Sequence, residues 1–302
     1  MAITRADDDS WDITESVGAT ALGMAMARAA ESVTDCPLFT DRYAQIFVDA
    51  AIKRGWDPSS VAGHLPIIKD YAAVRTKWFD EYFIAAGANG IDQAVILAAG
   101  LDARAWRLPW VKDSAIYEID QPQVLTFKAD TLTTLGARAN ASYQAVPVDL
   151  RTDWPKALRE AGFDPSTPTA WSAEGLLPYL SAASQDLLFE RIVKLSADGS
   201  RIALETLSPS ALDPDYLERG RQYLRDVQHD SAPDIHDLLF MEERTDLRPW
   251  LTERGWAVTA IETLNLMQRY DRPPDHAVKD LAPRNVFIEG RLHTPRRYYS
   301  ES

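Results

Sequence analysis

The sequence predicts an α/β fold on a mostly parallel sheet, and three observations carry that reading. The first is a short continuous apolar run, Ala94-Val-Ile-Leu-Ala-Ala99, stopped by Gly100. Strands buried on both faces by helices read this way, whereas strands with one wet face alternate. The second is repetition: four further strand candidates follow, separated by segments of helical periodicity. The third is a change of texture after residue 90, where helical stretches give way to strand-forming runs.

In chain order, residues 15–32 are rich in Ala and Met, with Leu22, Met26 and Ala29 on one stripe. Residues 37–54 form a second predicted helix, with Cys36-Pro37 at its start and Phe39, Tyr43, Ile46, Phe47 and Ala50 at helical spacing. Residues 66–86 form a third, carrying Tyr71, Trp78, Phe79, Tyr82 and Phe83. The strands are then 94–99, 115–120, 143–149, 169–173 and 201–206, with helices at 121–135, 153–161 and 183–196. Pro147 marks the third strand as an edge or an irregularity. Residues 255–261 and 285–290 are two more strands, read as an antiparallel pair that closes the sheet. A Pro- and Asp-rich stretch, 270–284, lies between them without a well-marked helix. Residues 208–250 read as a helical, charged insertion able to cover the carboxyl ends of the strands. The expected division is a helical segment, 1–90, capping a core of 91–302, in one compact unit.

Composition narrows the function. A chain of 302 residues can bury roughly 75% of its unfolded surface and needs no staples. Its 32 Lys and Arg against 45 Asp and Glu leave a formal net charge of −13. Such a surface repels polyanions on average, so nucleic acid is not an expected partner. The longest apolar run falls far short of the ~20 residues of a spanning helix. Asp7, Asp8 and Asp9 are wrong for a secretory or transit peptide, so the expected location is the cytoplasm. One cysteine, Cys36, excludes an internal disulfide and a cysteine-rich zinc site. His64, His229, His236, His276 and His293 form no H-E-x-x-H and no ligand cluster, so no metal is expected. A G-x-S-x-G elbow is also missing, which disfavours a serine hydrolase.

Ligands of open α/β sheets bind outside the carboxyl ends of the strands. The first four strands are followed by Gly100-Leu-Asp102-Ala-Arg104, Asp120-Gln-Pro122, Asp149-Leu150 and Glu174-Gly175-Leu-Leu-Pro-Tyr179. A single acid there is ordinary; several on one edge are informative. Gly100 admits close approach of a ligand to the backbone. Asp120, about 20 residues on, can accept from both ribose hydroxyls. Each such bond to a charged group is worth about 1.5–3 kcal/mol. The pattern signals a nucleoside. The 14 glycines contain no G-x-G and no phosphate-cradling G-x-x-x-x-G-K, so a pyrophosphate has no cradle. S-adenosylmethionine is a nucleoside without pyrophosphate. Its sulfonium suits an acidic, aromatic-lined pocket, at about 0.5–2 kcal/mol per ring. Two other readings stand beside it: a nucleotide-dependent oxidoreductase on a similar sheet, and a non-catalytic S-adenosylmethionine-binding protein.

The run Val95-Ile-Leu-Ala-Ala-Gly100-Leu-Asp-Ala-Arg104-Ala-Trp-Arg107-Leu resembles motif I of the leucine carboxyl methyltransferase-like family. Within it, the chain is most similar to the actinobacterial, chiefly mycobacterial, group of S-adenosylmethionine-dependent methyltransferases. Asp8-Asp-Ser10-Trp11-Asp12, Val74-Arg75-Thr76, Tyr117-Glu-Ile-Asp120-Gln-Pro122, Val148-Asp149-Leu150-Arg151 and Trp171-Ser-Ala-Glu174-Gly-Leu-Leu-Pro-Tyr179 support the likeness, which runs from about residue 8 to 292. It implies a class I methyltransferase fold: a Rossmann-like, seven-stranded, mostly parallel sheet with a reversed final hairpin. It further implies that Asp120 binds the ribose hydroxyls, Asp149 the adenine amino group and Leu150 the adenine ring. Arg75 would pair with the methionine carboxylate, Gly100 would line the methionine and Glu174 would face its ammonium. Ala98 and Ala99 stand where the motif often has glycine.

Plainer roles compete with these. Arg75 could be a helix-face salt bridge, and Asp102 and Arg104 suit a structural pair. Glu174 follows an apolar strand, where an unpaired carboxylate is costly, so it needs a partner or a ligand ammonium. Tyr179 could pack, cap its loop or wall the acceptor site, and it is the candidate catalytic residue. The expected acceptor is the oxygen, carboxylate or hydroxyl, of a small apolar molecule, selected by the N-terminal helices and the 208–250 insertion. A carboxylate needs no general base; a hydroxyl does, with Tyr179 or Glu174 the candidates. Arg291, Arg296, Arg297, Tyr298 and Tyr299 read as a solvated tail.

Overall fold

The computed structural model describes residues 16–227 and 239–293. Seven strands build one sheet: β1 (Gln93–Leu97), β2 (Ala115–Asp120), β3 (Ser142–Pro147), β4 (Thr169–Ala173), β5 (Arg201–Leu207), β6 (Trp256–Glu262) and β7 (Asn285–Leu292). Their order is β3-β2-β1-β4-β5-β7-β6. The first five are parallel, and β7 runs antiparallel to β5 and β6, between them. The chain winds outward from β1 through β2 to β3, then returns to β4 on the other side. Strand order therefore switches between β1 and β4, where such sheets leave a crevice. β3 is an edge strand, mostly exposed, and Pro147 ends it, where a missing N–H costs no ladder bond.

Every residue of β1 and of β4 is buried, as the continuous apolar run requires. Successive side chains feed opposite faces. Ala94 and Ile96 join a core with Leu22, Phe47, Val74 and Phe79, while Val95 and Leu97 join one with Trp154, Trp171, Leu188 and Phe189. The first core lies under α1 (Ser16–Ser32), α2 (Ala44–Lys53), the short α3 (Ser59–Ala62) and α4 (Leu65–Ala88). After these come α5 (Arg104–Arg107), α6 (Pro122–Thr134), α7 (Trp154–Glu160), α8 (Ala182–Lys194), α9 (Pro214–Val227), α10 (Leu247–Thr252) and α11 (Thr263–Arg269). With 24 residues α4 spans about 36 Å. It packs on α1, α11, β4 and β5; its aromatic residues are buried along one side, and small and polar residues such as Ala73 and Asp80 are buried on the other. No helix among the described residues is long and apolar enough to cross a membrane.

Three expectations need correction. The second helix begins at Ala44, not at residue 37. Asp41 accepts from the N–H groups of Tyr43 and Ala44, at 3.0 and 3.1 Å, and so caps the helix there. Residues 37–41 are instead tied to α1, with Leu38 N–H donating to Glu31 at 2.7 Å and Asp41 N–H to Ser32 at 2.8 Å. Cys36-Pro37 therefore lies in a connection. Secondly, β1 stops at Leu97; Ala98 and Ala99 already belong to the turn. Thirdly, α11 occupies 263–269, where no helix was expected; within 270–284 the helical content is one short 3-10 turn at Lys279–Leu281, in keeping with the absence of a well-marked helix there. α11 buries Leu266 and Met267 in a single turn, too few positions for a periodic signal. Of the 208–250 insertion, α9 and α10 are helical; α9 has no buried residue and covers the sheet's carboxyl edge. The Asp8–Asp12 stretch, His229, His236 and the tail beyond 293 lie outside the described residues.

Ala98 has φ +50°, the left-handed region that glycine favours. Glycine at this position would release strain, and Ala98→Gly is expected to raise the unfolding free energy by about 0.5–1 kcal/mol. Chemical denaturation of the two proteins checks it; an unchanged or lower value would mean that the turn carries no strain.

Candidate active site

A cavity of about 960 Å³ opens over the carboxyl ends of β1, β2, β4 and β5. That is near the upper end of ordinary ligand sites, with room for two small molecules side by side. All seven site residues expected from the sequence line it: Arg75, Gly100, Asp120, Asp149, Leu150, Glu174 and Tyr179.

At the β1–β2 end, Asp120 accepts from Gly100 N–H at 2.6 Å and from Gln121 N–H at 2.7 Å, one bond on each oxygen. The pair separated by 20 residues in sequence is thus joined directly. Gly100 takes φ +50°, so the turn after β1 needs left-handed backbone at Ala98 and again at Gly100. Each Asp120 oxygen keeps a lone pair for a further donor. Burial raises the Asp120 carboxyl above its ordinary range, against the pull of the two N–H groups. Asp149 behaves oppositely. Burial pushes it up, but hydrogen bonds from Arg151 and Gln121, the latter at 2.7 Å, hold it low and ionised.

In the middle lies a buried network of ions. Arg104, at the start of α5, donates through Nε to Asp80 at 2.7 Å and through Nη1 to Glu174 at 2.7 Å. It also pairs with Asp102, whose Oδ1 accepts the Arg104 N–H at 2.6 Å. Arg107 binds the same Asp80 through both Nη atoms at 2.5 Å. Arg75, from α4, lies 2.9 Å from Glu174 Oε1 and 3.4 Å from Glu205 Oε2. Burial alone would neutralise Glu174; Arg104 and Arg75 outweigh it and keep the carboxylate charged. Asp102 and Arg104 pair with each other, as a structural reading of them requires. Arg75 and Glu174 stand side by side with opposite charges, complementary to the two ends of an amino-acid zwitterion. Gly175 makes this possible. It has φ +62°, and a side chain there would meet Arg75 Nη1 at 3.1 Å.

Beyond Glu174, toward β5, the wall becomes apolar. Ile67, Ile68, Leu207, Leu224, Phe240 and Leu281 line it, with Tyr179 and Tyr216. Tyr179 ends a 3-10 turn after β4, and Leu224 and Phe240 come from the insertion. A polar group lies at this end that sequence reasoning missed. Glu205 of β5 accepts from Tyr71 Oη and from Asn285 Nδ2 in two short bonds, and Asn285 donates to Tyr71 at 2.8 Å. The three sit 134 and 80 residues apart from one another in chain order, so no local spacing could have joined them. Tyr71 did have a signal: it stands one helical turn before Arg75 on the same face. Among the described residues, no group of three His, Cys, Asp or Glu could hold a metal ion.

The sequence model of the family described as leucine carboxyl methyltransferase matches residues 21–193. A relative from Mycolicibacterium paratuberculosis, named "Putative S-adenosyl-L-methionine-dependent methyltransferase", is 50% identical over 306 residues, spanning 94% of this chain and 96% of its own. One of the same name from Mycobacterium tuberculosis is 47% identical over 312 residues, spanning 96% and 99%. In fold alone, the crystal structure of a DUF574 family protein from Streptomyces avermitilis is similar, with a TM-score of 0.52 at 13% identity over 89% of this chain and 96% of that one.

A sheet of this order, with its acids at the carboxyl ends, is that of a class I methyltransferase dependent on S-adenosyl-L-methionine. The chain belongs to the leucine carboxyl methyltransferase family. Its residues fit the cofactor: Asp120 has free acceptor capacity, and the Arg75–Glu174 pair matches a zwitterion. When bound, the cofactor supplies an activated methyl group on a cationic sulfur.

Proposed function

We propose that the protein methylates an oxygen, carboxylate or hydroxyl, of a small apolar molecule. The single observation behind this is one continuous cavity that joins the acid-tipped strand ends to an apolar chamber over β5. In this reading Asp120 holds the ribose hydroxyls, Asp149 the adenine amino group and Leu150 the adenine face. Arg75 binds the methionine carboxylate, Glu174 the ammonium, and Gly100 lines the chain between. Tyr179 walls the chamber beside the reacting atoms. The protein's task is alignment and exclusion of water, since orientation alone can supply about 7–11 kcal/mol of barrier reduction.

The test is methyl transfer from labelled S-adenosylmethionine to a panel of apolar acids and phenols, with products identified by mass spectrometry. O-methylated products are expected. Methylation confined to nitrogen or sulfur acceptors, or tight cofactor binding without turnover on any of them, would overturn the reading.

A further inference from the structure

We propose that the acceptor is an alcohol or phenol rather than a carboxylate, its hydroxyl docked on Tyr71 and its proton passed through Tyr71 to Glu205. This rests on the methyltransferase reading above and narrows it.

The residues that fit the cofactor sit over β1, β2, the end of β3 and the end of β4. The sheet order puts β5 next outward, so a group carried by β5 and lining the same cavity faces the second molecule. Glu205 is that group. It is buried, at 3% exposure, and lines the cavity together with the apolar side chains of Ile67, Ile68 and Leu207.

Its surroundings show what it is for. Tyr71 and Arg75 of α4, Asn285 of β7 and the Gly175 N–H after β4 are the polar groups against it, with Glu174 beyond Arg75. Tyr71 donates its proton to Glu205, and its oxygen accepts from Asn285 at 2.8 Å. One lone pair of that oxygen is left, and it can only accept. A neutral hydroxyl can donate to it; a carboxylate cannot.

Charge excludes the carboxylate a second time. Among the described residues, the cavity arginine beside Glu205 is Arg75, which Glu174 and, in the reading above, the methionine carboxylate already engage; Arg28, Arg104, Arg107 and Arg151 are held by Asp41, Asp102, Asp80 and Asp149. A second carboxylate beside Glu205 would meet a like charge in an apolar setting. Burial raises Glu205 to about 7, which leaves it able both to take and to release a proton near neutrality.

The step balances. The acceptor O–H bond breaks and its proton goes to the Tyr71 oxygen, while the Tyr71 proton goes to Glu205. The acceptor oxygen bonds the methyl carbon. The electron pair of the carbon–sulfur bond stays on sulfur, which passes from sulfonium to thioether. One negative and one positive charge vanish together.

The experiment uses matched para-alkylphenols and para-alkylbenzoates. Calorimetric titration of the protein loaded with S-adenosylhomocysteine is expected to show the phenol binding at least 10-fold tighter, and Tyr71→Phe should reduce the preference by weakening the phenol while Glu205 still repels the benzoate. In turnover, the phenol should be methylated with a rate that rises with pH through about 7. Glu205→Gln should lower kcat about 100-fold and remove that limb, a change well beyond any it makes in affinity for S-adenosylmethionine through Arg75, 3.4 Å away. Tyr71→Phe provides a second variant should Glu205→Gln fold poorly. Preferred binding and methylation of the benzoate would overturn this inference and leave O-methylation intact. Unchanged kcat and pH profile in Glu205→Gln would also overturn it. N- or S-methylation instead would overturn the broader reading.

Discussion

Asp120→Ala is expected to weaken S-adenosylmethionine binding about 100-fold, measured by calorimetric titration with S-adenosylhomocysteine in parallel. The magnitude follows from two hydrogen bonds to a charged acceptor, each worth about 1.5 kcal/mol or more, at 1.4 kcal/mol per tenfold. The loss has a second source. The same carboxylate fixes the turn after β1 by accepting from Gly100 at 2.6 Å, so its removal also frees the backbone that the ligand approaches. Asp120→Asn should lose less, because its amide oxygen can keep one of the two bonds. Acidification should act in the same direction. Because burial raises the Asp120 carboxyl, it takes up its proton at a higher pH than an ordinary aspartate, and affinity should decline from there downward. Affinity that is unchanged in Asp120→Ala would remove Asp120 from the ribose.

Arg104→Met is expected to destabilise the fold by about 3–5 kcal/mol, because a buried network of ions loses its centre. Arg104 is 3% exposed and touches Asp80, Asp102 and Glu174. Arg107 and Arg75 would remain beside Asp80 and Glu174, but Asp102 would be left without its main partner. For a chain of this size the midpoint of thermal unfolding should drop by roughly 5–8 °C. Arg104→Lys should rescue little, since a single ammonium cannot reach three carboxylates at once as the planar guanidinium does. A drop of only a degree or two would show that the network tolerates the loss by rearrangement.

The sheet was legible because its signals are local. A buried parallel strand advertises itself within five or six residues, as at 94–97 and 169–173, and Pro147 announced its edge. The acids at strand ends were legible for the same reason: topology places the residue after a parallel strand on one edge of the sheet. The start of α2 was not legible. Phe39 and Tyr43 share helical spacing, yet the capping carboxylate of Asp41 and its tie to Arg28, at 3.0 Å, decide where the helix begins. Glu205 and Asn285 were hidden more deeply. Each reads as an ordinary polar residue of its strand, and only the antiparallel pairing of β7 with β5 brings them together. Arg104 was read as a local partner of Asp102. Its bonds to Asp80 and Glu174 cross 24 and 70 residues, beyond any short motif.

The insertion of β7 between β5 and β6 has a consequence for synthesis and folding. Contacts of high sequence separation form slowly, and this strand follows both of its neighbours in the chain. While the polypeptide emerges, β1 to β4 can already assemble around Asp120, Asp149 and Glu174. β5 must wait with an unpaired edge until residues 285–292 have left the ribosome. The nascent protein would thus bring the acid-tipped strand ends together before Asn285 arrives beside Tyr71 and Glu205, so half of the cavity matures ahead of the other.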